Sequence, residues 1–227
     1  MGQALTGTVS TTGTAILGVG TSFVTELAVG QMVYEQTKRG IRKIAAITDA
    51  THATLDVAFN SNLAALSTLY GMVDTGDTKG GIDVSWVTGT FKKETDRRGT
   101  VGEVISDRYA EVTIPFAEWK PENLRKATGE TLALVVSAGK TLARGSSSIG
   151  LDLRALGVPA VIIPVINGIL TTDPNRIIVF HFLCPSAETL SVKFARTEQR
   201  PIQAKFMAYG LASDGEIWYV GDNSIRP

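Results

Sequence analysis

One cysteine, Cys184, and two histidines, His52 and His181, are the whole supply of thiol and imidazole in this chain. A lone cysteine forms no internal disulfide, so the expected fold is held by core packing and by neighbours, as suits a reducing compartment. Net charge is missing as well. The 22 Lys and Arg balance the 22 Asp and Glu, and no bulk charge advertises a polyanionic partner. The most apolar stretch, residues 158–170, is interrupted by Pro159, Pro164 and Asn167 and is too short for a membrane span. The opening Met1-Gly2-Gln3-Ala4-Leu5-Thr6 lacks the basic and apolar blocks of a secretion signal. The expectation is therefore a protein neither secreted by that route nor embedded.

What the chain has instead is Gly and Thr between short β-branched runs. Its 227 residues can bury a substantial core and can divide into two units. Residues 7–66 carry five such runs: Gly7-Thr8-Val9, Ala15-Ile16-Leu17, Gln31-Met32-Val33-Tyr34, Arg42-Lys43-Ile44-Ala45-Ala46-Ile47 and Ala53-Thr54-Leu55-Asp56-Val57. Each is bounded by Gly, Asp, Asn or Thr, which predicts a small β-barrel-like or sandwich module. Phe23 and Leu27 belong on a short turn-like segment, with Ser22 as a cap and Gly30 as its limit. The pattern then breaks at Thr75-Gly76-Asp77-Thr78-Lys79-Gly80-Gly81, so residues 1–72 form one expected domain and residues 73–227 another.

The second region opens with the alternating Ile82-Asp83-Val84-Ser85-Trp86-Val87, a strand with one buried face. The charge-rich residues 92–102 read as a long loop that only a partner would order, after which strand chemistry resumes from Glu103 to Phe116. A helix is predicted at Pro121. Proline suits the first helical position, Glu122 suits the positive end of the dipole, and Gly129 can supply the left-handed stop. Trp119 and Leu124 are spaced to staple the start of that helix, making Trp119, Pro121 and Leu124 its expected pins. Residues 158–165, 177–183, 189–194, 202–209 and 216–220 read as further strands. The fold class expected is mainly β, with one short helix flanking a sheet.

Each candidate for chemistry meets a simpler explanation. Gly139-Lys140-Thr141 has the end of a phosphate-binding loop, but Leu134 stands where its leading glycine belongs. His181 and Cys184 are three apart, which on a strand points them to opposite faces and denies them a shared metal. Ser146, Ser147 and Ser148 lack a nucleophile elbow or a nearby histidine. Asp83, Glu94, Glu103, Glu111 and Glu118 fit the wet face of strands better than a hydrolytic pair. Gly2 and Thr6 match the loose acylation pattern, which recurs by chance. No catalytic, cofactor-binding or metal-binding residue is assigned, and the chain is not expected to be an enzyme. The mixed cluster Lys92, Lys93, Arg97 and Arg98, with Glu94 and Asp96, fits either a solvated loop or a salt-bridging arm that docks on another copy.

Two stretches carry a resemblance: Gly81-Ile82-Asp83-Val84-Ser85-Trp86-Val87, and Ala110-Glu111-Val112-Thr113-Ile114-Pro115-Phe116-Ala117-Glu118 leading into Pro121-Glu122-Asn123-Leu124-Arg125-Lys126-Ala127. With Thr172-Asp173-Pro174-Asn175-Arg176-Ile177-Ile178-Val179-Phe180, Ile202-Gln203-Ala204-Lys205-Phe206-Met207-Ala208 and Val220-Gly221-Asp222, the chain resembles tail-tube proteins of tailed bacteriophages over residues 80–223. The first region, with Gly13-Thr14, Gly18-Val19-Gly20-Thr21-Ser22-Phe23 and Phe59-Asn60-Ser61-Asn62-Leu63, is similar to a small β module of phage virion proteins. The resemblance implies a β-sandwich or barrel tail-tube-like domain with a flanking helix. Its subunits would close into rings, commonly hexameric, that stack into a tube passing DNA without gripping it. It also implies other tail proteins as partners, and a virion location after assembly in the host cytoplasm. On that reading Lys92, Lys93, Arg97 and Arg98, and a second loop with Arg144, Ser146 and Ser147, are candidate inter-subunit contacts. A head–tail connector, a tail terminator or a capsid decoration protein is the alternative. A carbohydrate-binding β protein using Trp86, Trp119 or Trp218 is a third reading.

Overall fold

The computed structural model describes residues 1–78, 80–95, 99–118, 120–128, 135–137, 140–143, 157–166, 169–170, 176–186, 201–210 and 215–221. These residues are mainly β, with two antiparallel sheets of seven and six strands and two short helices. The chain divides into two compact units. The first comprises Met1–Asp74, Val158–His181 and Trp218–Pro227, and the second Thr75–Gly157 and Phe182–Ile217.

In the first unit the elements are β1 (Gly2–Ala4), β2 (Thr8–Thr12), β3 (Ala15–Val19), α1 (Phe23–Glu26), β4 (Met32–Glu35), β5 (Gly40–Ile47), β6 (His52–Leu55) and β7 (Leu69–Met72). They order as β1-β7-β4-β5-β6-β3-β2. Period-two patterning dictates the faces: along β3, Ile16 and Gly18 turn inward while Ala15, Leu17 and Val19 turn out. Between the paired Thr12 and Ala15 lies the two-residue turn Gly13-Thr14, where Gly13 adopts φ 59° and donates its N–H to Asn62 Oδ1 at 2.9 Å. β5 pairs with β4 through residues 40–43 and with β6 from Ile44 onward, and a bulge between Ile44 and Ala46 shifts the register of the second ladder. Leu5, Val9, Ile16, Phe23, Val33, Ile44, Leu55, Leu63 and Leu69 fill the enclosed core.

This corrects the expected barrel-like module of five strands. The sheet is open, with β1 and β2 as its ends, and no closed barrel forms. A single bridge from Val9 to Ser67 and a bond from Thr11 N–H to the Leu63 carbonyl bring β2 toward the start of β7 without a ladder. The extra strands lie outside the five runs of residues 7–66 but inside the expected 1–72 domain, because Gly2 pairs with Met72 and Ala4 with Tyr70.

Later chain segments complete this unit. They contain β12 (Val158–Ile162), β13 (Val165–Ile166), β14 (Ile169–Leu170), the first half of β15 (Ile178–Pro185) and β17 (Trp218–Val220). A second cluster joins Tyr34, Met72 and Val179 with Met32, Ile41, Tyr70, Val161, Ile177 and Tyr219. Val161, Ile177, Val179 and Tyr219 thus pack with N-terminal residues of the same unit.

In the second unit, β8 (Asp83–Thr95) and β9 (Gly99–Phe116) form a long hairpin, followed by α2 (Pro121–Thr128), the small hairpin of β10 (Val135–Ser137) and β11 (Lys140–Leu142), and β16 (Ile202–Ala208). The six-stranded sheet runs β12-β15-β16-β9-β8, with β17 also on β15. Ala110, Val112, Ile114 and Phe116 share a face with Ile202, Ala204, Phe206 and Ala208, all buried. Phe116 and Phe206 meet edge to face with centroids 6.5 Å apart. α2 lies against β16 and starts at Pro121, as its missing N–H predicts.

Candidate functional site

The hairpin of β8 and β9 changes character along its length. Near its base the pairs Val84↔Val112 and Trp86↔Ala110 place residues toward the core face, where Ala110 and Val112 are buried. Asp83, Ser85 and Glu111 lie on the opposite, wet face, so two of the suspected carboxylates are ordinary strand-surface residues. β16 accompanies β9 only as far as the pair Ala208↔Ala110. Beyond that point the ladder continues as a two-stranded ribbon through Phe91↔Val104, Lys92↔Glu103, Lys93↔Gly102 and Glu94↔Thr100.

Gly89 marks the change. There two residues of β9, Ser106 and Asp107, stand against the Gly89–Thr90 step, and Ser106 Oγ donates to Asp107 Oδ1 at 2.7 Å. A Cβ on Gly89 would crowd the Asp107 carboxylate and oblige that exposed side chain to turn away. Past the bulge, Thr90 and Lys92 share a face with Ile105 and Glu103, while Phe91 shares the other with Val104. Phe91 is 55% exposed, Ile105 48% and Val104 44%, so both faces of the ribbon are partly apolar and uncovered. Among the described residues no third strand pairs with its edges.

This ribbon corrects the expected long loop at residues 92–102, since 92–95 and 99–102 are strand. Lys92 and Lys93 are exposed on opposite faces of it, and Lys92 stands across from Glu103. Arg97, Arg98, Arg144, Ser146, Ser147 and Trp119 lie outside the described residues. Pro121 and Leu124 are half-buried on α2. The helix has a pin that the sequence reading missed: buried Asn123 donates from Nδ2 to the Thr75 carbonyl at 2.8 Å and to that of Glu118 at 3.4 Å. No residue spacing announces this bond, because its acceptor is a backbone carbonyl 48 positions away.

Other candidate chemistry resolves into structure. Asp49, Thr51 and His52 approach one another as a triad would, but Thr51 Oγ1 and both Asp49 oxygens meet the same ring nitrogen, Nδ1, at 3.0 Å. A relay needs the two partners on different nitrogens, so the arrangement is an exposed turn. The Thr51 backbone N–H, then His52 and the Thr51 hydroxyl, hold the Asp49 carboxyl well below the usual carboxylate range. His181 is buried and sits 2.6 Å from the Tyr34 hydroxyl through Nδ1, with its ring tilted against that of Tyr219. Cys184 is buried in β15, three residues on. Lys140 and Thr141 belong to β11, so they do not open a phosphate-cradling helix. Among the described residues no three metal-ligating side chains gather, and no helix is long and apolar enough to cross a membrane.

On α2, burial first and the neighbouring Arg125 second push the Lys126 amine down to about 8, partly offset by Glu122. No protein-family model, curated protein or solved structure matches this chain.

Proposed function

We propose that this protein is a structural virion component of a tailed bacteriophage, a tail-tube subunit that self-assembles into stacked rings and a conduit for the genome. The observation that carries the reading is the distal ribbon of β8 and β9, whose residues 90–94 and 100–105 are exposed on both faces. An isolated two-stranded hairpin is marginal in water. Burying side chains such as Phe91, Val104 and Ile105 against a neighbour is worth about 1 kcal/mol or more each at their present exposure. Open sheet edges invite pairing with another chain, and ring closure consumes them.

On this reading the sheet of the second unit, with α2 on one face, belongs to the β-sandwich that builds the ring, and residues 1–72 form the added module. Lys92 and Lys93 bridge to the next subunit, other tail proteins cap the tube, and DNA passes without specific contact. A connector, terminator or decoration protein uses the same ribbon in a single closed ring. The exposed Trp86 favours the more distant reading of a sugar platform.

Negative-stain microscopy and light scattering across a concentration series separate these. Open-ended hollow tubes are expected. One discrete ring would transfer the assignment to a connector or terminator, and a persistent monomer that binds glycan through Trp86 would overturn it.

A further inference from the structure

The outermost strand of the second unit's sheet is β8, and among the described residues no strand pairs with its outer edge. Such edges are normally blunted by charge, proline or a bulge, because their open N–H and C=O groups pair with any extended chain. Residues 84–91 of β8 have no such protection: Val84-Ser85-Trp86-Val87-Thr88-Gly89-Thr90-Phe91 is uncharged and free of proline. The other edge of the hairpin is built differently. β9 takes the extra residue at both bulges, Ser106 and Val101, and carries Glu103, Asp107 and Arg108 beyond the reach of β16. The hairpin thus defends one edge and leaves the other open.

What can cover β8 follows from its own residues. Successive N–H groups of a strand point to opposite edges, so two β8 strands pair antiparallel only about an axis through a residue, never between residues. Centred on Thr88, the pairing sets the exposed Asp83 of each strand opposite the exposed Lys93 of the other. It also sets Trp86 opposite Thr90, Ser85 opposite Phe91, and Thr88 opposite itself. Centring on Trp86, Val87 or Gly89 opposes no unlike charges within β8. Unlike charges, aromatic with β-branched residues, and Thr with Thr are favourable cross-strand pairs. Trp86 and Phe91 are each 55% exposed, so both have surface to bury in this register.

We infer that the outer edge of β8 docks a second copy of this chain, the two strands pairing antiparallel about a two-fold axis at Thr88 with Asp83 and Lys93 ion-paired across each end. The contact is self-complementary and closes at two copies. It goes beyond the assembly reading, which rests on the faces of the distal ribbon and needs contacts that continue from copy to copy.

The test uses the full chain. Thr88→Cys under mild oxidation should give a covalent dimer on a non-reducing gel, since directly opposed residues hold their Cβ atoms about 4.5–5.5 Å apart. The native Cys184 is buried and does not compete. Thr90→Cys should stay uncrosslinked, because its two copies would lie roughly 13 Å apart along the strands. In sedimentation, Lys93→Asp should weaken the dimer about tenfold or more by setting carboxylate against carboxylate at both ends. Adding Asp83→Lys to that variant should restore it. The crosslink remains a readout if a charge variant fails to fold. Crosslinking through Thr90→Cys in place of Thr88→Cys, a Lys93→Asp dimer as tight as the parent, or a parent monomeric at every concentration would overturn the inference. Tubes that form with Thr88→Cys uncrosslinked would overturn it too, while leaving the tail-tube reading in place. A Thr88-linked dimer without larger species would uphold it and remove that reading.

Discussion

The sheet of the first unit and the distal ribbon of the second are built from similar residues and meet opposite fates. β3 alternates Ile16 inward with Leu17 outward, and β6 does the same with Ala53, Leu55 and their exposed neighbours. The ribbon also places Phe91 and Ile105 on opposite faces of a ladder, yet neither face is covered. Alternation alone does not make a strand self-supporting. It must meet a second layer, and the first unit supplies its own while the ribbon awaits one.

The comparison can be broken by substitution. Phe23→Ala, in the first core, should cost about 3–5 kcal/mol of folding stability by chemical denaturation, because it empties a fully buried aromatic site. Tyr34→Phe removes one buried hydrogen bond to His181 and should cost about 1–2 kcal/mol on the same measurement. Phe91→Asp should lie within about 0.5 kcal/mol of the parent as a monomer, but should abolish the large species in light scattering. If Phe91→Asp instead unfolds the monomer, the ribbon is part of a core and the contrast fails.

The smallest effect is a pH slope. Lys126 titrates near 8 when folded and near 10.5 when unfolded, so between those values the unfolded chain binds more protons and stability rises with pH. Below about 8 both states are protonated and the contribution is flat. Lys126→Met should remove this rise in a denaturation series, and an unchanged slope would assign it to another group.

Much of the fold could be read from the chain because its signals are local. Pro121 starts α2, Gly13 turns β2 into β3, and the alternation at Ile82-Asp83-Val84-Ser85-Trp86-Val87 is a half-buried strand. The failures share a physical cause, which is dependence on a distant partner. Lys92, Lys93 and Glu94 have weak strand propensity and become strand because Glu103, Gly102 and Thr100 lie across from them. Arg42 looks like a surface residue, but is buried where Ala58, Asn60 and the Phe59 ring receive its guanidinium. Asn123 carries no motif at all, and its role depends on which backbone carbonyl it meets after folding.

The two hydrophobic clusters of the first unit also differ in when they can exist. One draws on residues from Leu5 to Leu69 and needs nothing synthesised later. The other joins Tyr34 and Met72 to Val179 and Tyr219, so it waits for chain that leaves the ribosome after the whole of β8, β9 and α2. At about 5–20 residues per second, the gap between Tyr34 and Tyr219 is roughly 10–40 s. For that interval the nascent chain holds one finished core and an apolar face on β4 and β7 without its cover. The long-range pairings that close it carry the loop-closure entropy of a high-contact-order step. The order of translation thus places the riskiest contacts last, when the rest of the first unit is already formed.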